Sequence, residues 1–205
     1  MITDDQTNKV YFSEYLRDYK CWKSIKEALL EHEINFEMLP NTKDIWVRDF
    51  MPILKDVKSF IGYEYNPDYL KEEQHYTTHD VQNCFEFTHN NLMIMDVIVD
   101  GGNVIKCNDK VIMTDKVFVE NKEKNREFLK TVLEESFGCE VVFIPWDKAE
   151  KYGHSDGMVR YVEPEHIVIN NYADIDEQLR EELLKVLRLH FSKISELQYG
   201  KYARK

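Results

Sequence analysis

The chain has 205 residues, 43% of them hydrophobic and 13% aromatic, enough apolar mass to bury a core and to exclude disorder for the bulk of the protein. Its 27 Lys and Arg against 38 Asp and Glu leave a net charge of −11, a field that repels a polyphosphate and argues against nucleic acid as a partner. The same field favours a small cationic ligand.

From the N-terminus, Met1 to Asp5 is acidic and lacks the basic and apolar regions of a signal peptide, and no apolar run reaches the ~18 residues that a membrane span needs. A first helix is predicted from about Asp18 to His32, with Trp22, Ile25 and Leu29 on one face. A strand follows at residues 35–39, then the polar cluster Trp46-Val47-Arg48-Asp49, then a strand at residues 60–63. Glu64 to Asn91 is a long polar excursion with three His, of the kind that covers a site. Within it His75 and His79, with Glu72 and Glu73 just before, have a zinc-like spacing. Thr77-Thr78 disfavour the helix such a site requires, so no metal is predicted.

Beyond the excursion, a strand at residues 92–95 leads to the cluster Asp100-Gly101-Gly102-Asn103, and two strands, 104–107 and 111–113, flank a hairpin turn at Asn108-Asp109. A second helix, Lys122 to Phe137, carries Phe128, Leu129, Val132 and Leu133 and stops at Gly138. A strand at residues 141–144 precedes the cluster Gly153-His154-Ser155-Asp156-Gly157. Two strands, 158–162 and 166–169, then flank a turn at Glu163-Pro164-Glu165. The third helix starts near Asp174, with Glu177 completing a capping-box pattern, and runs through Leu179, Leu183, Leu184, Leu187 and Phe191. The chain is then read as ending directly after this helix, where another polar strand end would be due. The class is mixed α/β (α+β) with some antiparallel neighbours, which excludes a plain doubly wound sheet. With no Pro/Gly/Ser-rich linker, residues 1–205 are read as a single domain.

The polar clusters sit at strand ends, and Asp49, Asp100 and His154 fall at intervals of about 50 residues, a spacing that suggests an internal repeat of strand, polar strand end and helix. Radial repetition of such a unit would bring the polar ends to one axis and make an acidic pocket. If residues 153–157 are extended, His154 and Asp156 share a face and place a base beside an acid. Carboxylates around an imidazole suit a planar cation, because a guanidinium presents a fixed fork of N–H donors that carboxylates match bidentately.

Three ordered motifs carry a resemblance: Trp-x-Arg-Asp-Phe-x-Pro (Trp46 to Pro52), Asp-Gly-Gly-Asn (Asp100 to Asn103) and Gly-His-x-Asp-Gly (Gly153 to Gly157). Together they resemble the signature of the agmatine deiminase and bacterial peptidylarginine deiminase family. The resemblance implies a pentein fold, a fan of ββαβ units around a pseudo-fivefold axis, here incomplete at the C-terminus. It implies hydrolysis of a guanidine to a urea with loss of ammonia, and no metal or cofactor. By the same resemblance, Asp49 and Asp156 bind the guanidinium nitrogens and His154 is the general acid/base. Asp100 stands where the family usually has Glu and would orient His154 or touch substrate, while Trp46 and Arg48 support the substrate site. In that chemistry a thiolate attacks the guanidinium carbon, ammonia leaves, and water hydrolyses the thiouronium.

The family's nucleophile is a Cys near the C-terminus, and this chain has none after Cys139. Cys107 lies four residues beyond Asn103, before the Asn108-Asp109 turn, and is read as a decoy. Cys84 and Cys139 likewise have no acid/base partner in sequence. Four widely spaced thiols without C-x-x-C pairing read as reduced and cytoplasmic. The expectations are therefore a guanidine deiminase of the agmatine type whose nucleophile is absent, with agmatine favoured over peptidyl-arginine and a link to polyamine (putrescine) synthesis. A non-catalytic guanidine- or polyamine-binding module is the alternative, and a partner-binding domain with relic motifs a third. An incomplete fan would expose a sheet edge, so a homodimer or marginal stability is also expected.

Overall fold

A computed structural model describes residues 1–85 and 92–198. The end of the predicted excursion, residues 86–91, and residues 199–205 lie outside the described residues. The chain packs as two compact units, Ile2–Gly101 and Gly102 onward, the second including Met1.

In the first unit β1 (Val10–Ser13) pairs in parallel with β2 (Phe36–Leu39) across helix α1 (Trp22–Glu31). The ring of Trp22 meets Phe12 and Phe36 edge-on, both at 5.7 Å, and so fixes the helix onto the two strands. Of the predicted face, Leu29 is buried and Trp22 and Ile25 are half-buried. The one-turn helix α2 (Val47–Phe50) leads into β3 (Ile53–Asp56), which turns back at Val57-Lys58 to pair antiparallel with β4 (Ser59–Glu64). β4 then pairs in parallel with β5 (Leu92–Ile98). The crossover between them contains short 3₁₀ turns among its described residues rather than an α-helix. It does not lie outside the core as the polar composition predicted, because Tyr65, Leu70 and Cys84 pack with Leu39, Val47 and Phe50. His75 sits on one of these 3₁₀ turns, and both His75 and His79 are exposed.

The second unit contains the same plan twice. β6 (Ile105–Cys107) and β7 (Lys110–Thr114) form a hairpin about Asn108-Asp109, and β7 pairs in parallel with β8 (Glu140–Ile144) after helices α3 (Lys116–Glu120) and α4 (Arg126–Phe137). β9 (Val159–Glu163) and β10 (His166–Asn171) form a hairpin about Pro164-Glu165, with Glu165 at φ 67, and β10 pairs in parallel with β11 (Lys193–Gln198) after α5 (Glu177–Leu187). β3, β6 and β9 begin at Ile53, Ile105 and Val159, so successive units start about 50 residues apart, as the motif spacing predicted. β7, central in its sheet, is buried at every position, while the apolar faces of α5 and of β10 close over the same core through Leu183, Leu187, Ile167 and Ile169.

Three boundaries differ from the sequence reading. α4 starts at Arg126 because the Asn125 side chain caps it, accepting the N–H groups of Glu127 and Phe128. Its buried stripe runs through Leu129, Leu133 and Phe137, about a quarter turn from Phe128, which is exposed. α5 is capped by Asp176, whose carboxylate accepts the Leu179 N–H at 2.9 Å, rather than by Asp174. β11 follows α5, so a strand stands where the sequence reading placed the end of the fold. No helix among the described residues is long and apolar enough to cross a membrane.

Candidate functional site

In the first unit, the Trp46 motif forms the single turn α2 rather than a strand end. Trp46 precedes it and is 64% exposed, Asp49 is half-buried within it, and the exposed Arg48 reaches Asp4 at 3.7 Å. Asp100 ends the stretch after β5 and is 3% exposed. Gly101 explains the motif's first glycine, since a Cβ there would lie 2.0 Å from the carbonyl oxygen of Arg48. The motifs around Asp49 and Asp100 are thus in backbone contact, and only a residue without a side chain permits it.

Tyrosines line this corner. The Tyr63 hydroxyl lies 2.8 Å from the carbonyl of Asp49 and 2.9 Å from that of Met51, donating to either, and so anchors the end of α2 to β4. The Tyr69 hydroxyl, from the β4–β5 crossover, donates to the carboxylate of Asp100 and is hydrogen-bonded to Tyr65. Burial, then the negative charge of Asp100, pushes the phenols of Tyr63, Tyr65 and Tyr69 far up, so all three stay neutral donors at any physiological pH.

In the second unit, the segment between β8 and β9 carries the third motif. Residues 155–157 form a 3₁₀ turn rather than an extended strand, yet His154 Nδ1 still stands 4.0 Å from the Asp156 carboxylate, with side chains 14% and 28% exposed. Gly102 explains the second glycine, because a Cβ there would sit 2.3 Å from His154 Nδ1. The imidazole occupies the space a side chain at Gly102 would need. Asn103 completes the motif: its side-chain oxygen accepts the Thr114 N–H at 2.8 Å, and the Thr114 hydroxyl donates to the Gly153 carbonyl at 2.7 Å. On the far side, the Asn170 side-chain amide donates to the Gly157 carbonyl. The His154 segment is held at both ends.

His154 and Asp156 open onto a cleft of about 170 Å³ whose wall also includes Asp147, Glu150, Tyr152 and Tyr172. The Tyr152 ring stands 5.7 Å from the imidazole. Carboxylates and aromatic faces around an imidazole form a cradle for a flat organic cation. None of these four was singled out from sequence. Asp147, Glu150 and Tyr152 lie in a charged stretch that reads as ordinary solvated loop, and Tyr172 follows β10 with no motif to mark it. Within neither unit do three His, Cys, Asp or Glu ligand atoms converge among the described residues.

With this geometry established, the comparisons decide the family. The chain matches the Porphyromonas-type peptidyl-arginine deiminase family over residues 5–198. It belongs to that family. A comparison with curated proteins gives no match. Among solved structures, this family member is similar to the agmatine deiminase of C. jejuni, at TM-score 0.70 and 18% identity, covering 99% of this chain and 76% of that one. It is similar to the agmatine deiminase of Enterococcus faecalis (TM-score 0.62, 16% identity, 94% and 58% covered). It is also similar to DDAH from Pseudomonas aeruginosa (TM-score 0.55, 12% identity, 89% and 66% covered). These likenesses assign the mixed α/β fold of those deiminases to the chain, in agreement with the resemblance read from its three motifs.

Two of the four cysteines of this deiminase-family chain, Cys84 and Cys107, are poorly suited to attack. Cys107 is 1% exposed at the end of β6, and burial pushes its thiol up to about 12. Cys84 is also buried, which raises its thiol, and the carboxylate of Asp80 adds to the effect. Cys21 is exposed and Cys139 half-buried.

Proposed function

We propose that this chain recognises a guanidine and is of the agmatine deiminase type, a C–N hydrolase type that converts a guanidine to its ureido product and ammonia. The reading rests on one observation above the others: in a chain of the peptidyl-arginine deiminase family, His154 and Asp156 open onto a cleft walled by further carboxylates and tyrosines. Asp49 and Asp156 bind guanidinium nitrogens, His154 carries the proton to the departing ammonia, and Asp100, held by Tyr69, fixes the charge around the reacting group. Trp46 and Arg48 border the substrate. The carboxylates keep the guanidinium cationic and its carbon electrophilic. Agmatine, a small free cation of the cytoplasm, is the favoured substrate, and peptidyl-arginine is the alternative.

The thiol that attacks the guanidinium carbon is none of the four in this chain, so the chain binds without turnover. The burial of Cys107 and Cys84 supports this second, non-catalytic reading as far as these residues alone are concerned. Calorimetric titration with agmatine, arginine and an arginyl peptide is the test. Agmatine is expected to bind, and Asp49→Ala and Asp156→Ala to abolish the heat. Silence with all three ligands overturns the proposal, and ammonia release that survives Cys107→Ala overturns the claim of no turnover.

A further inference from the structure

Residues 145–153 wall the cleft and deliver His154, and they are secured by three consecutive residues at the junction of β7 and α3. The Asp115 carboxylate accepts the Trp146 N–H at 3.1 Å where the segment begins. The Thr114 hydroxyl donates to the Gly153 carbonyl at 2.7 Å and the Lys116 ammonium to the Tyr152 carbonyl at 2.8 Å, where it ends. The two carbonyls just before His154 are therefore each held by a side chain. Lys116 also packs its stem against Gly153, where a Cβ would meet Lys116 Cδ at 2.5 Å.

Lys116 is 2% exposed, and its ammonium lies 3.2 Å from Glu120, the two side chains being 3% and 4% exposed. A buried ion pair of this kind gives little or no stability over a well-packed apolar pair, because desolvating two charges offsets their attraction. A methionine and a leucine would fill the same space. What an apolar pair cannot supply is a donor to the Tyr152 carbonyl, two residues before the imidazole.

We propose that Lys116 is a positioning residue for His154, fixing through the Tyr152 carbonyl the place of the imidazole in the cleft. The inference rests on the guanidine-binding reading for its consequence in ligand affinity, but not for its consequence at His154 itself.

Lys116→Met alone leaves the charge of Glu120 buried without its cation, so the deciding variant is Lys116→Met combined with Glu120→Leu, which removes both charges. Three quantities are compared with the wild type: the melting temperature, the affinity for agmatine, and the pH titration of the His154 imidazole by NMR, assigned with His154→Gln. The double variant is expected to melt near the wild-type temperature, to bind agmatine about tenfold more weakly, the worth of one hydrogen bond, and to show a displaced His154 titration. Wild-type affinity together with an unmoved His154 titration overturns the proposal, and so does a double variant that fails to fold, since Lys116 then serves the fold. If the wild type binds no agmatine, the guanidine reading falls separately. The imidazole then decides alone: a displaced titration supports the positioning role, and an unchanged one removes it.

Discussion

The thiol of Cys107 faces the core behind β6, and with its pKa pushed up to about 12 roughly one molecule in 10⁴ carries the thiolate at pH 8. Iodoacetamide should therefore modify the exposed Cys21 in the native protein while leaving Cys107 intact, as peptide mass mapping can read directly, and Cys107→Ser should leave agmatine affinity unchanged. At Gly102 a methyl group would enter the space of the imidazole ring, so Gly102→Ala is expected to displace His154 and lower agmatine affinity at least tenfold, an effect calorimetry measures. The phenols also set a pH limit. Tyr63, Tyr65 and Tyr69 keep their protons in the folded state, whereas in the unfolded chain they lose them near pH 10. The folded state thus binds more protons above pH 10, and stability falls as pH rises through that range. A spectrophotometric titration of the twelve tyrosines should show these three ionising only as the protein unfolds. None of the three was legible in the sequence. Tyr69 meets Asp100 across 31 residues, through a crossover whose path no local pattern specifies. Asp100, Gly101 and Gly102 were legible as a motif, but the close approaches that the two glycines permit were not, since they involve residues distant in the chain.

At the scale of single elements, the helices were the most readable, since one apolar stripe must face the core whatever else the fold does. α5 shows this best: Leu179, Leu183, Leu184 and Leu187 are all buried. Replacing Leu183 by Ala is expected to cost about 2–5 kcal/mol, and Asp176→Ala, which removes the helix cap, about 1 kcal/mol. Urea denaturation would separate the two. The short outer strands were harder. Among the described residues β11 pairs only with β10, and its Ile194, Ser195 and Glu196 are half-buried, so its sequence carries no run of apolar residues to betray a strand. Arg180 ties it to α5 instead, gripping Glu196 with two hydrogen bonds of 2.8 Å each. This contact lowers the carboxyl pKa of Glu196, so its contribution to stability is present above the ordinary carboxylate range and is lost as pH falls through the depressed value. The β4–β5 crossover misled in the opposite direction: polar in composition, it still buries Tyr65, Leu70 and Cys84, because its described part, built of short 3₁₀ turns, places its few apolar side chains individually.

For the molecule as a whole, the charge of −11 acts on any cation at a distance. Agmatine affinity is therefore expected to fall as sodium chloride rises from 50 to 500 mM, while any binding of a neutral ureido compound stays flat, a contrast that titrations across the salt series would reveal. The repeat was legible at this scale because polar clusters marked by Asp49, Asp100 and His154 recur about every 50 residues. The division into two units was not, since no linker composition marks the step from Gly101 to Gly102. That step has an evolutionary side. Among the described residues every ladder closes within Ile2–Gly101 or beyond it, so a nick in the chain there would sever none of those strand pairs. Each portion carries its own strand pairing, so a gene for such a protein could be split or recombined with a relative's at that boundary without unpicking any of these sheets.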